Sequence, residues 1–269
     1  MTQLIVGIVS DGTGETAEAM VKAALSQFPE LECRILPYAQ VRDESRLAEV
    51  IAHIQSQNIK LVVTTLLDTV VRQKLADYCQ KEGIALHFLL TPLLEKVTHL
   101  TGCQPTGTPG AQRQIDAAYL KRIKAMEFTI TCDDGKSPQL WNQADLVLYG
   151  VSRAGKTPLS LFLADRGVAV ANVPLLPGIE PDPRAYDVAP EKRVGLIISP
   201  QRLREIRLQR LALMGLDPDK AFYAQEEHIQ AELAQARSLM EKLGCRIYES
   251  TDQPLEVLGL QILYDFHLI

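Results

Sequence analysis

The residues Gly150-Val151-Ser152-Arg153-Ala154-Gly155-Lys156-Thr157 satisfy G-x-x-x-x-G-K-[ST] at every fixed position. Each part of that spacing has a chemical use. Glycines let main-chain N–H groups turn inward around phosphate oxygens, and a helix opening at the loop adds partial positive charge. Lys156 would neutralise the terminal phosphate and act in its transfer, Arg153 would serve as a second clamp, and Thr157 would hold Mg2+. Pro158 is tolerated there because first-turn N–H groups lack helical partners in any case. The plainer alternative is a glycine-rich turn with a solvated lysine.

Other residues bear on the same chemistry. Asp133 and Asp134, just upstream in an Asp-Asp-Gly turn, could hold Mg2+ or take a proton from an attacking hydroxyl. Equally, Asp-Gly favours a turn and nothing more. An ordinary ATPase with such a loop carries an acidic residue at the end of a neighbouring apolar strand. Here the candidate strand Val194 to Ile198 runs into Ser199-Pro200, and Asp68, at the end of another apolar run, reads as a helix N-cap. H-R-D and D-F-G are absent, which excludes a eukaryotic-type protein kinase. In the helical pattern from Gln201 onward, Leu203, Ile206, Leu211, Leu213 and Met214 define an apolar face with Arg207 and Arg210 near its middle. Such guanidinium groups need a carboxylate or a phosphate, so an ion pair between helices competes with a phosphate clamp. Gly12-Thr13-Gly14-Glu15-Thr16-Ala17 fits G-x-G-x-x-[GA], but the next strand ends at Leu36-Pro37-Tyr38 without an acid for a ribose. That turn reads as an anion site at a helix N-terminus or as a tight turn, and not as a dinucleotide site.

The elements that must position these residues are those of an α/β protein. Leu4 to Val9, Cys33 to Leu36, Leu61 to Leu67 and Ile84 to Leu90 read as strands. Helical stripes lie between them: Ala17 to Phe28, Leu47 to Ile54 and Val70 to Tyr78. Strand and helix alternating over short connections mean βαβ units and a parallel sheet. Thr101 to Gly110, rich in threonine, glycine and proline, marks a linker or mobile loop. A helix from about Ala111 to Met126 leads to a second alternating set: Leu146 to Tyr149, the glycine loop, helix Pro158 to Ala164, and strands Val168 to Val173, Val194 to Ile198 and Arg246 to Tyr248. Pro174 to Pro190 reads as an extended surface loop. The expected organisation is an N-terminal βαβ parallel-sheet domain over residues 1–104, then a phosphate-loop, kinase-like α/β domain over 105–269.

Composition bounds the function. The chain of 269 residues is 46% hydrophobic and 23% charged with net charge −5, an ordinary globular balance that argues against generic nucleic-acid or membrane-surface binding. No apolar run approaches the roughly 18 residues needed to cross a bilayer, and the N-terminus reads as a strand in place of a signal peptide. Five cysteines, odd in number with no C-x-x-C pair, suit reduced thiols and a cytoplasmic setting.

Taken together, these motifs resemble the regulatory proteins of pyruvate, phosphate dikinase, whose sister group acts on phosphoenolpyruvate synthase. The likeness runs through Ser10-Asp11, Gly14 to Glu18, Ala23 to Phe28, Pro109-Gly110 with Arg113 and Asp116, and Asp133 to Gly135. It continues through Gly150 to Arg153, Lys156 to Ser160, Ala171 to Pro174, and Gly195-Leu196 with Ile198 to Pro200. The resemblance implies a bifunctional enzyme. It would phosphorylate an active-site threonine of the dikinase with ADP as donor, and remove that phosphate with inorganic phosphate as acceptor, giving pyrophosphate. Gly150 to Thr157 would hold ADP. Arg153, Lys156, Arg207 and Arg210 would clamp phosphates, with Asp133 or Asp134 as base or metal ligand. The same chemistry on phosphoenolpyruvate synthase, a nucleotide-dependent switch and a small-molecule kinase are the alternatives. A homodimer is left open.

Overall fold

A computed structural model describes residues 3–111, 116–215 and 222–269. The chain divides into two compact units, Met1–Gln114 and Ile115–Ile269. Each is built on a four-stranded parallel sheet.

In the first unit the strands are β1 (Gln3–Val9), β2 (Glu32–Tyr38), β3 (Leu61–Thr64) and β4 (Ala85–Phe88), in the order β2-β1-β3-β4. Alternation along the two central strands divides the core into two faces. Val6, Ile8 and Val63 face α1 (Glu15–Leu25) through Ala17 and Val21. Val9 and Val62 belong to the opposite cluster, with Leu47, Val50 and Ile54 of α2 (Glu44–Ser56) and Val71, Leu75 and Cys79 of α3 (Thr69–Lys81). Helices on both faces satisfy the near-continuous apolar strand pattern. The stripe on α1 is shorter and narrower than its sequence implies, since Met20 and Ala24 are exposed and Phe28, also exposed, lies beyond the helix end. Asp68 is a helix cap, its carboxylate accepting from Val71 N–H at 2.9 Å. Helix α4 (Thr91–Thr101) was not expected, although Leu93, Leu94, Val97 and Leu100 recur at helical spacing; it opens around Pro92 and buries none of these residues.

Helix α5 (Ala117–Thr131) begins later than the expected Ala111, because Asp116 caps it by accepting from Tyr119 N–H at 2.7 Å. Arg113 lies outside the described residues. The second sheet comprises β5 (Leu146–Gly150), β6 (Val170–Pro174), β7 (Arg193–Ile197) and β8 (Arg246–Glu249), in the order β6-β5-β7-β8. It packs with α6 (Lys156–Ala164), α8 (Glu226–Lys242) and α9 (Leu255–Asp265) around one apolar core. The stretch after β6 is less superficial than expected. It contains two short 3-10 turns, and Leu175, Ala185 and Val188 are buried, with Tyr149 donating its hydroxyl to Ala185 O at 3.1 Å. Helix α7 (Pro200–Leu213) buries Leu203, Arg207 and Leu211, a strict four-residue stripe. Arg210, Leu213 and Met214 are exposed, which corrects their placement on the apolar face.

Candidate phosphate-binding site

The loop expected to cradle phosphate leaves the fully buried strand β5 and opens α6. Gly150 must be glycine for space: a Cβ there would stand 2.9 Å from Leu196 O. Gly155 must be glycine for conformation, because it caps α6 at φ 89°, in the left-handed region. Arg153 adopts φ 75° without that freedom.

The carbonyl groups of the loop are taken up by donors around it. Lys156 Nζ donates to Val151 O at 2.7 Å, Arg207 Nη2 to Ser152 O at 3.4 Å, and Ser250 Oγ to Ala154 O at 3.0 Å. Helix α6 has no side-chain cap, so its first N–H groups stay available for an anion. Lys156 is 6% exposed. Burial pushes its ammonium down to about 8, against the opposing pull of Asp134, then Asp133 and Glu232, while Arg153 adds to the fall. Arg153 Nε is buried without a partner among the described residues.

The missing acid at the strand end is supplied from elsewhere. β7 does run into Ser199-Pro200, and Ser199 caps α7. The carboxylate near the loop comes instead from the 3-10 turn Asp133–Gly135 after α5. Thr157 donates its hydroxyl to Asp133 Oδ1 at 3.0 Å, and Asn172 Nδ2 donates to that oxygen at 2.6 Å and to Thr157 Oγ1 at 3.0 Å. Asp134 sits beside it at φ 55°, exposed. Hydroxyl and carboxylate oxygens meeting at one point are the hard donors that suit Mg2+. The two aspartates are thus brought to the loop, with different surroundings.

Arg207 has a partner already. It is 1% exposed and pairs through both Nη atoms with Glu232 of α8, at 2.8 and 2.9 Å, while Nη1 also donates to Tyr223 O at 2.9 Å. The guanidinium lies 4.2 Å from the centre of the Tyr223 ring. It is an interhelix ion pair, so Arg207 is not a free phosphate clamp, while Arg210 is exposed. Sequence reasoning missed Glu232 and Asn172, although both left a trace. Glu232 interrupts the apolar stripe Ile229, Ala236, Leu239 and Met240, and Asn172 interrupts the apolar run of β6. A polar residue within a buried stripe needs a partner, which is the signal.

In the first unit, the turn Gly12 to Ala17 opens onto a cavity of about 540 Å3, lined by Ser10, Gly14, Thr16, Arg42, Leu90 and Leu94 among others. Asp11 turns its carboxylate to Leu67 N–H at 2.9 Å, and Arg42 Nε donates to Asp11 O at 3.0 Å.

By fold and site the chain is an α/β protein of parallel sheets with a glycine-rich, lysine-bearing turn between a strand and a helix. It belongs to the kinase/pyrophosphorylase family, whose model matches residues 6–263. A relative from Geobacillus sp. (strain WCH70) is 41% identical over 258 residues, 95% of this chain and 96% of its own. One from Geobacillus kaustophilus (strain HTA426) is 41% identical over 256 residues, covering 95% and 96%. One from Clostridioides difficile (strain 630) is 38% identical over 256 residues, covering 94% and 90%. All three are named as pyruvate, phosphate dikinase regulatory proteins. A solute-binding protein of an ABC transporter system from Conexibacter woesei aligns over 97% of each chain at 12% identity and TM-score 0.26. No helix among the described residues is long and apolar enough to cross a membrane.

Proposed function

We propose that this chain is a phosphotransferase that regulates pyruvate, phosphate dikinase in both directions. In one, the β-phosphoryl group of ADP passes to a threonine hydroxyl of the dikinase: the O–P bond to threonine forms, the bond to the leaving phosphate of AMP breaks, and the hydroxyl proton is given up. In the other, inorganic phosphate attacks the phosphothreonine, releasing pyrophosphate and the free hydroxyl. The observation that carries this reading is the loop 150–157, with Lys156 folded beneath it and Asp133 hydrogen-bonded to Thr157, in a chain of the kinase/pyrophosphorylase family.

Main-chain N–H groups at Gly155 to Thr157 and the Lys156 ammonium bind the phosphates of ADP. Thr157 and Asp133 would hold Mg2+, which when bound shields phosphate charge. Asp134, exposed beside Lys156, accepts the proton of the attacking hydroxyl. Phosphoryl transfer of this kind needs positioning and charge more than covalent help, so both directions use one set of groups. No poised water is required, which fits a site without the usual strand-end acid.

The test is to incubate the protein with ADP labelled at its β-phosphate and purified dikinase, with phosphoenolpyruvate synthase in a parallel arm. Label on the dikinase, lost by 10²–10³-fold or more in Lys156→Ala, is the expected outcome. Label appearing only on the synthase, on neither protein, or undiminished in Lys156→Ala would overturn the assignment.

A further inference from the structure

Asn172 stands on β6, 1% exposed, and its contacts converge on the turn that supplies Asp133. Its main-chain N–H donates to Cys132 O at 3.0 Å, fixing the residue just before the turn. Its side-chain nitrogen reaches both Asp133 Oδ1, at 2.6 Å, and Thr157 Oγ1, at 3.0 Å. A carboxylate accepts hydrogen bonds only, so the amide must present its nitrogen to Asp133. That orientation leaves Asn172 Oδ1 buried with no partner among the described residues. An unpaired buried carbonyl oxygen is costly, and a filler for a strand position would not need one. Gly135 of the same turn packs on Pro174 of β6, where a Cβ would come within 3.2 Å of the ring, and α5, which leads into the turn, is tied to the strand by Thr129 Oγ1 accepting from Val170 N–H at 3.0 Å.

We infer that Asn172 is a positioning residue for phosphoryl transfer, holding the Asp133 carboxylate and the Thr157 hydroxyl together at the mouth of the loop. This rests on the proposal that Asp133 and Thr157 serve transfer. Among the described residues Asn172 makes no hydrogen bond to Lys156 or to the N–H groups at the start of α6. Its loss therefore acts on the rate of transfer and spares ADP affinity.

The experiment compares wild type, Asp133→Asn, Asn172→Ala and the double variant. The readouts are the rate of label transfer from β-labelled ADP to the dikinase and the Kd of ADP by calorimetry. Asn172→Ala should slow transfer by about 10–100-fold, the usual cost of losing an outer-sphere partner, with ADP affinity within about threefold of wild type. In the double variant transfer should be no slower than in Asp133→Asn alone, because the amide acts through that carboxylate. Asn172→Asp, of the same shape, replaces the donor with a second carboxylate and should slow transfer at least as much. Asn172→Ala transferring at the wild-type rate while Asp133→Asn is slow, or rate losses that multiply in the double variant, would overturn the inference. Loss of ADP binding together with transfer in both Asn172 variants would overturn it too, marking the residue as a folding requirement. Full-rate transfer by Asp133→Asn would instead strike the role given to Asp133, and Asn172 would fall with it.

Discussion

Burial beneath the loop sets the proton affinity of Lys156 near pH 8, so the charge on which phosphate binding depends is conditional. The sign follows from comparing states. An unfolded lysine holds its proton to about 10.5, so between about 8 and 10.5 the unfolded chain binds more protons and the ligand-free fold gains stability as pH rises. ADP works in the opposite sense, since its phosphates favour the ammonium form. Without divalent cation, ADP affinity should fall as pH rises through about 8, and binding there should take up a proton. Calorimetry in buffers of different ionisation enthalpy reads both, and an affinity flat from pH 7 to about 10 would show that the ammonium does not face the phosphates. A second expectation concerns Asp134. The threonine oxygen gives up a proton when it attacks and must regain one when it leaves, so Asp134→Asn should slow both phosphorylation and phosphorolysis of the dikinase while leaving ADP affinity near that of wild type. Wild-type rates in both directions would remove Asp134 as the base. At this scale the fixed positions of the loop were legible because each has its own steric or chemical reason. The roles of Asp133, Asn172 and Glu232 depend on groups 15 to 39 residues away in the chain, and spacing along a sequence carries no such information.

Helices α7 and α8 are joined through their interior by the pair Arg207–Glu232, and the same guanidinium reaches the Ser152 carbonyl. Removing one partner leaves a buried charge, so Glu232→Ala should cost about 3–5 kcal/mol in denaturant unfolding. Replacing both, as Arg207→Met with Glu232→Leu, should restore most of that stability, because a well-packed apolar pair is often as good. The restored protein should still bind ADP more weakly, since nothing then donates to Ser152 O. Wild-type affinity in the double variant would confine the pair to joining the helices. Elements with one apolar face and a clear cap, such as α2 and α3, could be read from sequence. The start of α5 was misplaced because the helical pattern runs on before Asp116, and α4, whose apolar residues do recur at helical spacing, was passed over between the expected strand 84–90 and the glycine-rich stretch 101–110.

On the scale of the whole molecule, both sheets have the same strand order, and in each the first strand feeds a helix through a left-handed glycine cap, Gly14 in one and Gly155 in the other. Ligands of open parallel sheets bind where the strand order reverses, which is where each of these turns lies. The first turn has no acid at the end of β2, so NAD and NADP should not bind, and Gly14→Val should leave ADP affinity unchanged; saturable NAD binding in a fluorescence titration would contradict this. The edge of the second sheet has a different consequence. Along β6 the outward N–H groups of Val170 and Asn172 are bonded to Thr129 Oγ1 and Cys132 O, and the next outward position, Pro174, has no N–H to offer. The strand thus presents no free donor to a foreign strand. The end of α5, which leads into the turn that brings Asp133 to the loop, also covers this edge, so loosening it exposes an adhesive strand, and loss of solubility accompanies loss of chemistry.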